Sequence, residues 1–377
     1  MAATSLVSPK MIPIFSPALT GREREYVLDC MDTGWISSQG EYVRRFERAF
    51  ADFCGMSHGV ATTSCTTALH LALAALDIGL GDEVICPDLT FIAPVNMVRL
   101  TGARPVLVDC ETDTWNIDPA GIARALSPRT KAIVVVHAFG HSARMDEIMA
   151  LANERGVPVI EDVAEAPGAR YKGTMLGSIG AMSCYSFFGN KIITTGEGGI
   201  VLTDDSRLRD RLEVLRDHGM SKERRYHHTH IGFNYRMTNL QGAIGLAQVE
   251  VLPEVLERRS QQEEAYERAL GDSPLHSFRP KHEWCETVHW MMTVTLTRAG
   301  LRDDLIDYLK SKAIDSRQMI FPVHLADPYR NMYEGTSFEN AERISLNSIH
   351  LPSSLELTGE QIVMIADTVN AWLEARA

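Results

Sequence analysis

Short runs of apolar, mostly β-branched residues alternate with helical patterns through the first two-thirds of the chain. The run Ala132–Val136 contains no polar residue, which is typical of a strand covered on both faces. Alternation of strands with helices indicates βαβ units and a mainly parallel sheet. The strands predicted in this region are 58–62, 83–86, 105–109, 131–137 and 157–162.

Two stretches show helical periodicity. From Val43 to Phe53, large apolar residues recur every three or four positions and so share one face of an amphipathic helix. A longer helical pattern runs from about 239 to 270. Pro253 predicts a break or a kink in it, because proline disrupts a helix interior.

The pattern changes after about residue 180, which indicates a second structural unit. Residues 181–187 and 199–203 predict two more strands, separated by a loop rich in glycine and threonine. Later in the chain, the predicted elements are a strand at 290–296 and helices near 302–312 and 358–375. We therefore predict an α/β protein with a large domain over residues 1–250 and a small α+β domain over 251–377. This division leaves room for the N-terminal segment to pack on the small domain.

Composition and charge exclude several classes of protein. The 377 residues are 45% hydrophobic and 23% charged, as in soluble globular chains that bury a large core. The net charge of −12 argues against a protein that holds nucleic acid by bulk charge. The best apolar run, Ala68–Leu76, is too short to span a bilayer, and the N-terminus lacks a basic patch followed by a long apolar core. Neither a membrane span nor a secretory signal is predicted.

The cysteines indicate a reducing compartment. All seven are widely spaced, their number is odd, and no CxxC pair occurs. We expect reduced, mostly buried thiols in a cytoplasmic protein, with neither a disulfide framework nor a zinc cluster. His227, His228 and His230 lie close together, but no carboxylate or cysteine spacing supports a metal site there, so no metal is expected.

Candidate chemistry lies where predicted strands end, because ligands of α/β sheets bind beyond the carboxyl ends of the strands. The segment Thr62–Ala68 places hydroxyl residues before a helix, whose free N–H groups can hold a phosphate, although a plain helix cap is the simpler interpretation. Glu161 and Asp162 close another strand, either as turn or cap residues or as partners of a cationic ring nitrogen. For His137, which closes a third strand, a structural role is the favoured interpretation.

A glycine-rich loop between the strands 181–187 and 199–203 carries the most informative residue. Lys191 lies between Gly189 and the glycines of 196–199, flanked by apolar strands. A lysine in such surroundings loses its proton more readily than an exposed one, and a neutral amine can form a Schiff base. The alternative is a glycine-rich hairpin with an incidental lysine.

The segment SFFGNKIITTGEGG resembles the cofactor-lysine motif of the DegT/DnrJ/EryC1/StrS family of sugar aminotransferases. The resemblance implies the aspartate-aminotransferase fold (fold type I) and the cofactor pyridoxal 5′-phosphate, PLP, with its amine form PMP. It also implies a homodimer whose active sites lie between the subunits. Further segments resemble the family in the expected order: WISSQGEYVRRFERAFADFCG, PDLTFIAP, VIEDVAEAPGARYKG, IGFNYRMTNLQGAIGLAQVE, IDSRQMIFPVH and LPSS.

By position, the resemblance implies roles for individual residues. Lys191 is similar to the Schiff-base lysine. Asp162 is similar to the aspartate that keeps the ring nitrogen protonated, which lets the ring accept electrons. Glu165 lies where the family has a residue near the ring hydroxyl, and Phe91 where an aromatic residue stacks on the ring. The implied phosphate-binding residues are Cys65, Thr66, Thr67 and Ser186, with Asn234 supplied by the neighbouring subunit.

The resemblance also implies a reaction. Lys191 favours transamination, since dehydratases of the family carry histidine there, and the full set of cofactor residues disfavours a non-enzymatic regulator. The implied reaction moves an amino group from L-glutamate to a keto group of a nucleotide-linked deoxysugar. Similarity is greatest to members that aminate C4 of GDP-4-keto-6-deoxymannose. The alternatives are another keto sugar, an aminocyclitol or a dehydration, because Gln318 and Phe321 depart from the family near the expected sugar site, as Cys65 does in the phosphate motif.

An anionic nucleotide needs local positive charge in a chain whose net charge is −12. The candidate substrate contacts are Arg224 and Arg225, just before the Asn234 motif, and Arg317 with His324. For Arg224 and Arg225, a solvated basic loop is an equally good interpretation.

Overall fold

The structure, a computed structural model, describes residues 11–376. The first ten residues, on which part of the prediction about a secretory signal depends, lie outside the described residues. The helices are α1 (Glu23–Thr33), α2 (Glu41–Cys54), α3 (Cys65–Ala75), α4 (Ala93–Leu100), α5 (Pro119–Ala125), α6 (Met145–Arg155), α7 (Ser206–Arg216), α8 (Asn239–Glu250), α9 (Leu252–Leu270), α10 (Arg302–Ser311), α11 (Asp327–Arg330), α12 (Glu339–Asn347) and α13 (Gly359–Glu374). The strands are β1 (His58–Thr62), β2 (Glu83–Pro87), β3 (Arg104–Val108), β4 (Thr130–Val136), β5 (Val159–Asp162), β6 (Arg170–Tyr171), β7 (Thr174–Met175), β8 (Met182–Ser186), β9 (Gly199–Thr203), β10 (His276–Ser277), β11 (Cys285–Glu286), β12 (Met292–Leu296), β13 (Arg317–Gln318) and β14 (Ser348–Leu351).

A seven-stranded sheet with the order β1-β9-β8-β5-β4-β2-β3 forms the centre of the larger part of the molecule. β9 runs antiparallel to both of its neighbours, whereas β8, β5, β4, β2 and β3 are parallel to one another. Every residue of β2, β5, β8 and β9 is buried, because helices such as α3 cover the sheet. The predicted mainly parallel α/β sheet is confirmed.

Local sequence explains the helices that frame this sheet. In α2, Val43, Phe46 and Phe50 form the buried face, and Gly55 ends the helix in the left-handed conformation with φ of 70°. The predicted interruption of the long helical pattern is also present. α8 ends at Glu250, and Pro253 lies in the first turn of α9, where its missing N–H costs no hydrogen bond.

The C-terminal part forms a second core around the antiparallel sheet β10-β12-β14-β13. α9 spans both cores, since Leu252 packs in the first and Leu270 in the second. The N-terminal segment joins this part, because the N–H of Ile12 donates to the carbonyl of Ala313 over 2.9 Å. The segment with the short 3-10 helix Val323–Leu325, α11 and α12 returns to the first core. A domain boundary at residue 250 stays a prediction.

The strands missed by the sequence analysis are short. β6, β7, β10, β11 and β13 contain two residues each, too few for periodicity to be detected. β14 was not predicted because Ser348 and His350 interrupt its apolar pattern, although all four of its residues are buried.

All seven cysteines lie within the described residues and are buried and free. Among residues 11–376, no helix is long and apolar enough to cross a membrane.

Gly140 joins the loop after β4 to the segment before β12. The N–H of Val288 donates to the Gly140 carbonyl over 3.0 Å. Gly140 has φ of +81°, and a Cβ atom there would lie 1.7 Å from the carbonyl oxygen of Val288. A side chain at Gly140 would therefore force the two segments apart.

We expect Gly140→Ala to lower the free energy of unfolding far more than Gly173→Ala, the matched control. Gly173 has φ of +80° with nothing within 4 Å of its Cβ position, so its substitution costs only the backbone strain, about 1–2 kcal/mol. Gly140→Ala adds the clash, about 1–3 kcal/mol more. Urea unfolding measures both variants, and equal losses would contradict the clash.

Candidate active site

The loop that carries Lys191 is held closed at its base by β8 and β9. Ser186, the last residue of β8, pairs with Gly199, the first of β9. Beyond this pair, the N–H of Phe187 donates to the Gly198 carbonyl over 2.9 Å, and the N–H of Thr195 donates to the Phe187 carbonyl over 2.9 Å. Lys191 therefore projects from a short loop whose two ends are fixed side by side.

The Lys191 ammonium lies between a carboxylate and an aromatic ring. Its Nζ atom is 3.6 Å from Oε1 of Glu165 and 3.7 Å from the centre of the Trp290 ring. Only 12% of the Lys191 side chain is exposed. The indole N–H of Trp290 donates to the carbonyl of Asn190 over 2.6 Å, which fixes the ring against the loop.

Asp162 ends β5 between Val136 of β4 and Cys184 of β8. Its Oδ1 atom accepts the N–H of Ala164 over 3.0 Å and lies 4.0 Å from the thiol of Cys65. Burial raises the pKa of the Asp162 carboxyl to about 6, and the Lys191 charge acts in the opposite direction. Within the described part of the chain, Oδ2 of Asp162 has no hydrogen-bond partner, so it can accept a bond from a ring N–H.

The start of α3 provides donors for an anion. The N–H groups of Cys65 and Thr66 are the first two of the helix and have no acceptor within it. Gly199 lies against them, because a Cβ there would be 2.5 Å from the nitrogen of Cys65. The hydroxyl of Thr67, by contrast, accepts the N–H of Ser64 over 3.0 Å in a capping box. The phosphate contact expected at Thr67 stays a prediction.

Glu165 shapes the opposite side of the site through Phe139. Its Oε2 atom accepts the N–H of Phe139 over 2.7 Å, and Phe139 adopts the left-handed conformation with φ of 51°. The Phe139 ring stacks on Trp290, with 6.1 Å between centroids and 11° between planes. Half-buried Arg279 donates to the carbonyl of Ala138 over 2.8 Å and to that of Phe139 over 3.0 Å, which stabilises this strained turn.

Glu161 and His137 form a structural pair beside Asp162. Glu161 accepts hydrogen bonds from His137 over 3.0 Å and from three backbone N–H groups, those of Gly177, Ile179 and Gly180. Both side chains are fully buried. The structural interpretation of His137 therefore agrees with its contacts.

Four of the predicted site residues lie on exposed loops: Phe91, Asn234, Arg224 and Arg225. Phe91 follows β2, and 63% of its surface is exposed. Asn234 is exposed and accepts hydrogen bonds only from Arg236, at 3.3 and 3.4 Å, within the described residues. Arg224 and Arg225 are exposed as well, and Arg225 lies against the ring of the next residue. Among residues 11–376, the recorded side-chain contacts of the Lys191 amine are with Glu165 and Trp290 and include none of these four predicted residues.

Arg317 and His324 occupy different environments. Arg317 is exposed in β13 and pairs with His350, whose ring lies 5.2 Å from that of Phe139, so Arg317 is at the edge of the site. His324 is buried, with Nδ1 2.7 Å from Asp88 and Nε2 3.4 Å from Glu342. Both ring nitrogens of His324 face carboxylates of the chain, and the substrate contact expected there stays a prediction.

The sequence analysis missed Trp290, Phe139, Arg279 and Asp88. Trp290 and Arg279 lie far along the chain from Lys191, in a part where no motif pointed to chemistry. Phe139 lies two residues after His137, so a search of the residues after each buried strand could have found it. Asp88 follows the predicted strand 83–86 in the same way.

Comparison with known proteins shows which family has this fold and this lysine loop. A family model described as the DegT/DnrJ/EryC1/StrS aminotransferase family matches residues 17–370. The chain belongs to this family. It is an enzyme of the transaminase class, as the resemblance implied.

Individual relatives are similar over nearly the full length of the aminotransferase. The GDP-perosamine synthase of Escherichia coli O157:H7 is 41% identical over 363 residues, which cover 96% of this chain and 99% of the relative. The GDP-perosamine synthase of Caulobacter vibrioides is 45% identical over 359 residues, with 93% and 95% coverage. The structure of Spr1654 from Streptococcus pneumoniae in its PMP form superposes with a TM-score of 0.92 at 28% identity, covering 97% and 98% of the two chains. These similarities confirm the predicted family and fold class.

We expect Asp162→Asn to stabilise the cofactor-free protein above about pH 6, although it should abolish activity. The pKa of Asp162 is raised to about 6 in the folded chain from 3.8, so the folded state binds this proton more tightly than the unfolded state. The carboxyl therefore costs stability as pH rises from about 4 to about 6, by up to about 3 kcal/mol above that range. Urea unfolding of both proteins across pH measures the difference.

The two proteins should be equally stable below about pH 4, where the carboxyl is protonated in both states. Exposed Glu154→Gln is the control and should change little at any pH. A difference between Asp162→Asn and the unchanged chain that does not vary with pH would contradict the assignment.

Proposed function

We propose that this aminotransferase uses PLP to move an amino group from L-glutamate to C4 of GDP-4-keto-6-deoxymannose, in the cytoplasm. The observation that carries the sugar assignment is the 41–45% identity to two proteins named GDP-perosamine synthase. The amino donor and the position of amination follow the family resemblance. L-Glutamate and the sugar nucleotide are both water-soluble, so the reaction needs no membrane.

The chemistry of the donor set fits PLP. A phosphate suits the free N–H groups of Cys65 and Thr66 at the start of α3, with the Ser186 hydroxyl nearby through the Ser186–Gly199 pair. A protonated pyridine nitrogen suits the open oxygen of Asp162, since a cation lowers the cost of that buried charge. Lys191 supplies the amine that an aldehyde requires.

When bound, PLP supplies an aldehyde that carries the amino group and a ring that accepts electrons. The chain supplies the rest. Asp162 keeps its charge by accepting the hydrogen bond of a cationic ring. Lys191 moves protons at Nζ, to and from the carbons of donor and sugar, as a general acid and base. Glu165, Phe139 and Trp290 enclose Nζ on the buried side and exclude water from it.

The proposal includes a homodimer whose subunits complete each other's sites. Asn234 is the residue that we expect to reach the phosphate of the neighbouring subunit. Its exposure, and that of Trp35, Phe91, Phe188 and Ile231, supports a surface that a second copy covers. Arg317 at the edge of the site and Arg224 and Arg225 remain the proposed contacts of the nucleotide.

The decisive experiment tests both cofactor and substrate. The purified protein is incubated with PLP and reduced with borohydride, and the pyridoxyl adduct is expected on Lys191 by mass spectrometry. With glutamate and GDP-4-keto-6-deoxymannose, we expect 2-oxoglutarate and GDP-perosamine in equal amounts. Lys191→Ala should still fold and bind PLP but lose turnover by about 10⁴-fold or more, as expected when the group that acts directly on the reacting atoms is removed.

Related keto sugars linked to dTDP or UDP serve as the substrate controls, and Lys131→Ala is the matched lysine control because Lys131 is exposed on β4. Equal turnover of a dTDP-linked or UDP-linked sugar would overturn the assignment of GDP. An adduct on another lysine would overturn the cofactor site.

A subunit-mixing experiment tests the shared site. Lys191→Ala and Asn234→Asp are each expected to abolish activity, the second because a carboxylate repels the phosphate. In a mixed dimer, one of the two sites would contain neither substitution. Mixing the two inactive proteins under conditions of subunit exchange should therefore restore activity, to about a quarter of the unsubstituted level if subunits pair at random. No recovery despite exchange, measured with mass-labelled subunits, would contradict the proposal.

A further inference from the structure

Trp290 makes closer contact with the reactive amine than any role proposed so far requires. The Lys191 Nζ atom lies 3.7 Å from the centre of its ring. The indole is fixed on two further sides, by its N–H bond to the Asn190 carbonyl at 2.6 Å and by stacking on Phe139. Trp290 is 8% exposed. The ring is therefore a rigid surface under the lysine.

Glu165 alone does not explain where the ammonium lies. Its Oε1 atom is 3.6 Å from Nζ, longer than the 2.7–2.9 Å of a charge-assisted hydrogen bond. Its other oxygen is occupied by the N–H of Phe139. An ammonium is attracted to the face of an indole, whereas a neutral amine lacks this attraction. The ring contact thus favours one protonation state of Lys191 over the other.

We propose that Trp290 is a positioning residue that holds Lys191 as an ammonium in the part of the reaction when this side chain is not joined to the cofactor. The indole face then keeps the proton on Nζ, next to Glu165, until the proton is delivered. This inference rests on the proposed function for its place in the reaction. The contact itself is a property of the chain without cofactor or substrate.

The test measures how fast the Lys191 amine reacts in full-length protein freed of cofactor with hydroxylamine. The protein is acetylated briefly with acetic anhydride at a series of pH values, and acetylation of each lysine is counted by mass spectrometry. Only the neutral amine reacts. Exposed Lys131 in the same molecule is the internal reference.

Near neutral pH, Lys191 in Trp290→Leu should react about 2- to 30-fold faster relative to Lys131 than in the unsubstituted protein. Trp290→Phe keeps an aromatic face and should give a smaller increase. Trp284→Leu is the matched control, since Trp284 packs on His282 and Tyr171 rather than on Lys191. The increase should disappear at alkaline pH, where the amine is neutral in every variant.

This pH dependence separates the proposal from a loss of packing. A loosened pocket admits the reagent at every pH, so an equal increase at neutral and alkaline pH would overturn the proposal. An unchanged rate in Trp290→Leu, or the same increase in Trp284→Leu, would overturn it as well. None of these readouts needs turnover, so the inference can fail while the proposed function stands.

Fluorinated tryptophan gives the same test without changing the shape of the core. Fluorine withdraws charge from the ring face and weakens its attraction for a cation. Protein made with mono- and then trifluorotryptophan should show stepwise faster acetylation of Lys191 near neutral pH. The same replacement in the Trp290→Phe background, where the other four tryptophans are still fluorinated, should have no effect. A rate independent of fluorination would overturn the proposal.

Discussion

The site is organised around a negative charge that the fold takes out of water. Asp162 ends β5 in the middle of the sheet, and its pKa is raised to about 6, with burial as the largest cause. Such a carboxylate is stable as an anion only when a cation faces it. Positive charge is therefore favourable at the carboxyl end of β5. Lys191 and a protonated ring nitrogen both supply such a charge. The same constraint links cofactor binding to the stability of the chain.

Two neighbouring carboxylates illustrate how the fold separates structural from reactive groups. Glu161 and Asp162 point to opposite sides of β5, because side chains alternate along a strand. Although burial opposes it, hydrogen bonding from His137 and backbone N–H groups holds the pKa of Glu161 below its usual range. Asp162 receives one backbone N–H and a distant thiol. Glu161, whose two oxygens both accept hydrogen bonds, fixes the turn at residues 177–180. Asp162 keeps one oxygen for a ligand.

The parts of the fold that sequence predicts are those with local signals. The bounds of strands 58–62 and 199–203 match the prediction to the residue, because each is a short run with β-branched residues beside a turn or loop. Asp162 could be located because it ends a buried strand, and Lys191 because it lies in the glycine-rich loop between two buried strands. Trp290 and Arg279 could not, since nothing local distinguishes a tryptophan or arginine that folding brings to a distant loop. At His324, a local motif suggested a substrate contact that ignores a distant partner. The carboxylate of Asp88, more than 200 residues away in sequence, binds Nδ1 of its ring.

The reversed direction of β9 has a consequence for how this family can vary. A parallel partner would require a long crossover after β8, but β9 returns at once beside it, so the lysine loop is tethered at both ends across a single strand spacing. The closed base limits the positions that the amine can reach, so an insertion in the loop would move Nζ away from Glu165 and Trp290. Changes in loop length are therefore better tolerated in the exposed outer loops than in this one hairpin.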